Sequence, residues 1–271
     1  MKESSNVNSY IKYFLLIIIF AAIISVGYRV AANVRNSNFK YNTFNILVLS
    51  HDSYLIHLDK ENEKIYVYDF KNSTKFLEGK PRSVQGIIVG VPIDAVIESK
   101  SKTLTIDQNF LTSSNFSRLF FNKGDNKLDG INKTDLIKVF MLSSKISDND
   151  REERNISIKK VADFDNVDYG NSLYDNDIFA DKTSIQIMND TGINGLGGRV
   201  AQMLKNMGYN VVSIDTNSDT KSSIKTENGD TISFRRLVKV FDFPKTGEVG
   251  NQIADITLVI AQDREKMFEG L

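Results

Sequence analysis

From Phe14 to Gly27 the chain reads FLLIIIFAAIISVG, fourteen residues without a charge. A helix rises ~1.5 Å per residue, so this run reaches about 21 Å, short of a bilayer core of ~30 Å. Continuing through YRVAANV to Val34 makes up the length, provided Arg29 extends toward the headgroups. Tyr13 and Tyr28 bracket the run where interfacial aromatics belong. A buried soluble helix would carry a polar face, and this run offers only Ser25. A cleaved signal peptide competes, since Val30-Ala31-Ala32 loosely suits a small-residue cleavage site, but the apolar stretch is long and Arg29 stands just before that site. The reading is therefore a short tail at 1–12 and an uncleaved, single-pass transmembrane helix at 13–34. Lys2, Lys12 and the amino terminus precede the helix, while Arg29, Arg35 and Lys40 follow it. That count leans slightly toward a cytoplasmic C-terminus and leaves the side open.

The 271 residues hold one medium domain or two small ones, with enough apolar side chains (41%) for real cores. Lys+Arg and Asp+Glu balance at 34 each, and no basic run is interleaved with aromatics, so nucleic acid is not an expected partner. The absence of cysteine excludes disulfides, thiolate nucleophiles and Cys-ligated zinc. With His51 and His57 as the only histidines, most imidazole chemistry is excluded as well.

After a polar stalk at 35–43 come three strand-like runs, FNILVLS (44–50), SYLIHLD (53–59) and KIYVYDF (64–70), with DKEN as a hairpin turn between the last two. A second apolar stretch, 86–99, contains Pro92, which starts a new element. Two short helices follow. One is SNFSRLFF, capped by Thr112, Ser113 or Ser114; the other is DLIKVFML, capped by Asn132 or Thr134. Residues 44–142 thus read as a small α+β domain. Between Val161 and Asp181 there are six Asp and no Lys or Arg, so 143–182 reads as a polar, acidic linker with room for one strand at ISIKKV. The best-organised part is 183–271. SIQIMN alternates like a strand, and GRVAQMLKNMGY is an amphipathic helix with Val200, Met203, Leu204 and Met207 on one face, stopped by Gly208. NVVSID is the next strand, giving a βαβ unit. A strand near SSIKTE, a helix over SFRRLVKVF and a last strand DITLVIAQ complete it. The fold class is α/β: an N-terminal transmembrane helix, a small α+β domain, and a compact βαβ-containing C-terminal α/β domain.

Three motifs bear on chemistry. Gly192, Gly195, Gly197 and Gly198 lie between a strand and a helix, near Asn189, and Asp215 ends the next strand. A dinucleotide site wants glycines at a helix N-terminus and an acid for the ribose. Val200 stands where the third glycine belongs, however, so the turn reads first as close helix packing, with cofactor binding as its weak alternative. DNKLDGINKTDL (125–136) has Asp125, Asp129 and Gly130 in calcium-loop positions. Lys127 and Leu136 replace two oxygen ligands, so it reads as a solvated turn, and no metal site is expected. Ser50-His51-Asp52-Ser53 has the letters of a hydrolase triad, but neighbours on a strand point to opposite faces. His51 and His57 read as ordinary strand or loop residues.

SIQIMNDTGINGLGGRVAQMLKNMGYNVVSID and ADITLVIAQD resemble the C-terminal domain found in many LytR–CpsA–Psr proteins. The pattern is carried by Asn189, Thr191-Gly192, Gly195-Leu196, Gly208, Val211-Val212 and Asp263, over about 80 residues at 183–263. The resemblance implies one N-terminal membrane helix and an extracytoplasmic catalytic domain that transfers lipid-linked glycopolymers to peptidoglycan. FNILVLSHDSYLIHLDKENEKIYVYDF and VPIDAVIES are similar to strands of that catalytic domain, in reduced form. Phe70-Lys71-Asn72 replaces the family's Pro-Arg-Asp step, the helix that should follow is largely absent, and the arginine cluster for pyrophosphate is missing. If the chain is active, Asp52, Lys80 and Arg82 are its candidates, with Mg²⁺ as cofactor. The leading expectation is a catalytically reduced, envelope-facing protein without a cofactor, bound to the membrane through 13–34, whose partner is a cell-wall glycan or an envelope protein. The alternatives are an active phosphotransferase and a cytoplasm-facing nucleotide sensor using the glycine turn.

Overall fold

The structure, a computed structural model, describes residues 4–35, 37, 39–99, 117, 119, 121, 126–216, 219–227, 229, 231–247, 253–269 and 271. Helix α1 (Ser4–Arg35) is continuous for 32 residues, about 48 Å at helical rise. Its stretch Ile11–Tyr28 has the length and composition of a membrane span, a property shared with signal sequences, and none of it is buried. The Arg29 side chain lies outside the described residues.

Six strands form the first sheet, in the order β5-β4-β1-β2-β3-β6. β1 (Thr43–Leu49), β2 (Ser53–Asp59) and β3 (Lys64–Lys71) are an antiparallel meander, with Ile46 opposite Ile56 and Ile56 opposite Val67. The β2–β3 turn closes with Glu63 in the left-handed region, φ 50°. β4 (Ala95–Ser99) runs parallel to β1, β5 (Asn126–Asp129) antiparallel to β4, and β6 (Arg151–Ser157) parallel to β3. Between β3 and β4 the chain forms α2 (Thr74–Leu77) and α3 (Arg82–Val89). The ten-residue interval between Arg82 and Pro92, where the family's helix was expected to be largely absent, holds a helix of eight residues. An apolar run such as GIIVG cannot be told from a strand by periodicity, and Gly90 (φ 77°) ends the helix before Pro92 opens the path to β4.

Alternation along the strands makes two apolar faces. Phe44, Ile46, Val48, Ile56, Leu58, Ile65, Val67 and Ile97 meet α4 (Lys133–Ser143) through Leu136 and Val139. Of the two caps weighed for α4, Asn132 is the one used. It accepts the Asp135 amide at 2.9 Å while the Asp135 carboxylate accepts the Asn132 amide. Among the residues read as SNFSRLFF, Ser117 and Leu119 are helical; its proposed caps lie outside the described residues, as does Asp125.

The opposite face of the sheet, with Leu47, Leu55, Tyr68 and Phe70, belongs to a core that continues into the C-terminal part. There the second sheet has the order β10-β9-β11-β7-β8. β7 (Ser184–Asp190), α6 (Leu196–Asn206) and β8 (Asn210–Asp215) are the βαβ unit, with β7 and β8 parallel. β9 (Ser223–Thr226), α7 (Ile232–Phe241), β10 (Lys245–Thr246) and β11 (Ile256–Ala261) complete it. Val200, Met203, Leu204 and Met207 are fully buried, as their spacing required. Helix α3 packs against α6 and α7, and its Val84, Ile87, Ile88 and Val89 share one core with Leu47, Leu55, Tyr68 and Phe70 of the first sheet. Gly86 permits that approach, because a Cβ there would sit 2.9 Å from the Val91 carbonyl oxygen and 3.4 Å from Met203 Sδ.

Two segments differ from their sequence reading. Residues 143–182, expected as a linker, supply β6 and pack Phe164 on Phe70, Tyr169 on Tyr68, and Leu173 into the core. The Asp residues that suggested disorder are turn and cap acceptors. Asp163 takes the amides of Lys159 and Lys160, Asp168 that of Gly170, and Asp175 caps α5 (Asn176–Asp181). The polar stalk is docked as well, with Ser37, Phe39 and Tyr41 buried and Phe39 edge-on to Phe44. Its short alternation of polar and aromatic residues is too brief to read as a packed segment.

Candidate functional site

Asp52 lies in the β1–β2 turn. Its carboxylate accepts the Asn72 amide at 2.7 Å and stands 3.6 Å from Lys71 Nζ. The same ammonium pairs with Asp69, whose carboxyl is pushed up by burial and held back by that hydrogen bond. The Phe70-Lys71-Asn72 step therefore places a cation of the chain itself between two acids. A divalent ion would have to displace it, so these residues do not fit Mg²⁺. Among the described residues no group of three or more His, Asp or Glu is placed to hold a metal. Ser53 bonds to Thr74 Oγ1 at 3.0 Å and His51 is exposed, so the triad letters do not converge.

Lys80 and Arg82 line a different feature. A depression of about 260 Å³ at the start of α3 is bounded by them with Gln85, Glu98, Lys127 and Asp129. Arg82 spends both terminal nitrogens on main-chain oxygens, Asp94 at 3.1 Å and Lys239 at 3.3 Å, and Gly130 (φ 70°) leaves the room its guanidinium fills. Asp52 is not among the residues lining that depression. The three candidates of the transferase reading are therefore divided between two places.

The glycine turn serves the fold. Gly192 (φ 77°) and Gly195 (φ 81°) take backbone conformations that side chains disfavour. Asn189 closes the turn, giving Nδ2 to the Ile193 oxygen at 2.9 Å and accepting from Thr191 Oγ1 at 2.7 Å. A Cβ on Gly197 would lie 2.7 Å from Ile214 Cγ2, so Gly197 supplies the close helix–strand contact that the spacing rule sought three residues later. Gly198 meets nothing within 4 Å. Asp215, the proposed ribose ligand, accepts from Gln186 Nε2 at 2.9 Å, beside an open depression of about 460 Å³ that also touches Asn189, Gly195, Gly197 and Gly198.

Sequence reasoning missed two features. The first is a buried ion cluster joining the two sheets. Arg236 of α7 is 0% exposed, pairs with Asp175, reaches Asp94 at 3.2 Å and Thr43 Oγ1 at 2.8 Å, and lies under the Tyr41 ring. Asp94 also accepts the Asn45 amide at 2.9 Å, and Asn45 Oδ1 meets His57 Nδ1 at 2.6 Å. Burial pulls the His57 pKa down to about 4, so the ring is held neutral. The available signal was an arginine on the apolar stripe of α7, in line with Ser233, Leu237 and Val240.

The second is a groove of about 470 Å³ between α5 and the end of α6, lined by Tyr174, Ile178, Phe179, Lys182, Lys205, Gly208, Tyr209 and Asn210. Phe179 is 58% exposed and leans on Tyr174, ring centroids 5.2 Å apart. Gly208 holds its φ of 92° against the Tyr174 ring. Both charged residues of the lining are lysines. Phe179 sits in the segment read as a linker, where aromatics scattered among aspartates match neither the helix nor the strand period.

Comparison with known proteins places the second sheet. A family model described as LytR cell envelope-related transcriptional attenuator matches residues 182–263, which contain β7 to β11 with α6 and α7. No curated protein matches the chain. Among solved structures, the Lin1025 protein of Listeria innocua is similar over 45% of this chain and 84% of its own, at 10% identity and a TM-score of 0.32. A Listeria monocytogenes protein titled as a transcriptional factor, Lmo1026, is aligned over 84% of this chain and 94% of its own, at 10% identity and a TM-score of 0.20. Residues 182–263 of this chain are a LytR C-terminal domain, of the cell-envelope-related kind that the family's description states.

Proposed function

We propose that this chain is a membrane-anchored, single-pass envelope protein that binds a cell-wall glycan through its C-terminal part and does no chemistry of its own. The observation that carries this reading is the groove beside α5. Exposed Phe179, backed by half-buried Tyr174, offers a face to the C–H side of a sugar ring, and Lys182 and Lys205 offer charge to its acidic substituents. The envelope-related family description of 182–263 and the apolar stretch Ile11–Tyr28 of α1 support the setting. Three observations favour binding over catalysis. Arg82 is committed to main-chain oxygens, Lys71 stands between Asp52 and Asp69, and both apolar faces of the first sheet are filled by side chains of this chain.

Co-sedimentation of the full chain, in detergent, with purified peptidoglycan sacculi tests the reading. The wild-type chain is expected to pellet, and a Phe179→Ala, Lys182→Ser, Lys205→Ser variant to remain in solution. Equal sedimentation of the two removes the groove from the argument; no sedimentation of either, with binding to an acidic peptide instead, makes the partner a protein. Protease shaving of intact cells tests the extracytoplasmic placement, which a protected C-terminal part would overturn.

A further inference from the structure

The chain leaves α1 without a free tether. Ser37, two residues past the end of α1, is buried; its hydroxyl donates to the Asp135 carboxylate and accepts from Lys138 Nζ at 3.2 Å. Both partners belong to α4, and α1 itself contacts the same helix. The Ser37 carbonyl is also 3.5 Å from Lys239 Nζ of α7. With the span read at 13–34, α4 is held beside its exit.

The outer face of α4 suits that place. Asp135, Leu136, Val139 and Ser143 are buried against the sheet, and Lys133, Ile137, Met141 and Lys145 follow one another at helical spacing on the solvent side. Ile137 is 40% and Met141 54% exposed, an apolar pair flanked by lysines at either end. Single exposed apolar residues are ordinary on a soluble surface. Here the position decides. A span ending at Val34 places α4 at the lipid headgroups, where apolar side chains enter the acyl boundary and lysines meet phosphate.

We infer that the outer face of α4 rests on the bilayer that α1 crosses, with Ile137 and Met141 in the headgroup layer, so that the folded part is held in one orientation on the membrane. The inference rests on reading α1 as a span. Because the chain has no cysteine, single sites can be spin-labelled in the full chain. Met141→Cys, Ile18→Cys in mid-α1 and Val212→Cys on exposed β8 are compared in nanodiscs of equal parts phosphatidylcholine and phosphatidylglycerol. The ratio of oxygen to water-soluble nickel-chelate accessibility is expected to be several-fold higher at Met141 and Ile18 than at Val212. If Ile18 lies in lipid while Met141 is as open to the chelate as Val212, the α4 contact is refuted and the anchor stands. If Ile18 also meets the chelate freely, the span is refuted, and the contact with it.

Discussion

Replacing Arg236 with alanine leaves Asp94 and Asp175, whose side chains are 7% and 1% exposed, facing each other without the guanidinium that now lies between them. Thr43 loses its donor in the same step, and the Tyr41 ring loses a cation 5.1 Å from its centroid. Removing one partner of a buried ion pair costs about 3–5 kcal/mol, because a desolvated charge is left unpaired. Here two carboxylates are left, although burial already pushes the Asp94 pKa up, so protonation relieves part of the cost. Native domains hold only ~5–15 kcal/mol of stability, so a large fraction should disappear. Urea unfolding of the full chain in detergent, followed by tyrosine fluorescence and near-UV circular dichroism, measures it. The midpoint should fall for both sheets together, since Asp94 enters the first sheet and Arg236 packs on the second. The penalty should shrink in acid, as the orphaned carboxylates protonate. A triple variant with Arg236→Met, Asp94→Asn and Asp175→Asn should recover most of the loss, because neutral groups do not require the cation. A cost below about 1 kcal/mol for Arg236→Ala would show that the cluster is hydrated and not the desolvated joint its burial describes.

Three further outcomes follow from local geometry. His57 has a folded pKa of about 4 against 6.5 when exposed, so between those values the unfolded chain binds more protons and stability falls as pH drops. The loss should approach about 3 kcal/mol near pH 4, and His57→Gln should flatten the pH profile; an unchanged profile places the effect elsewhere. Gly197→Ala forces a Cβ to within 2.7 Å of Ile214 Cγ2 and should cost about 1–3 kcal/mol, whereas Gly198→Ala, with nothing within 4 Å, should be neutral or slightly stabilising; similar melting temperatures for the two would contradict the packing. Asn132→Ala removes the acceptor for the Asp135 amide and should cost about 1 kcal/mol, read as faster amide exchange in the first turn of α4.

The meander β1–β3 and the β7–α6–β8 unit were legible because their periodicities are strong and local. Met203 and Met207 fell on the buried face where a period of 3.6 put them, and Gly208 ended α6 where a left-handed residue was needed. β6 was misplaced because REERNIS lies at a sheet edge with mostly exposed side chains, so alternation carries no hydrophobic signal. The Tyr174–Phe179 groove was invisible for a related reason. Its residues come from α5 and the residues flanking it, the end of α6, and the turn into β8, and no single segment carries the pattern.

The sequence by itself determined the apolar helix, the α/β class and the LytR C-terminal domain, because each rests on spacing within a continuous stretch. Only the tertiary structure decided that the acidic segment is part of the body, and that Arg236 unites Asp94 with Asp175 across 142 and 61 residues. It also divided Asp52 from Lys80 and Arg82, and bolted the end of α1 to α4 through Ser37. Burial and pairing depend on which distant side chains share a volume, and that information enters only when the sheets close over one core.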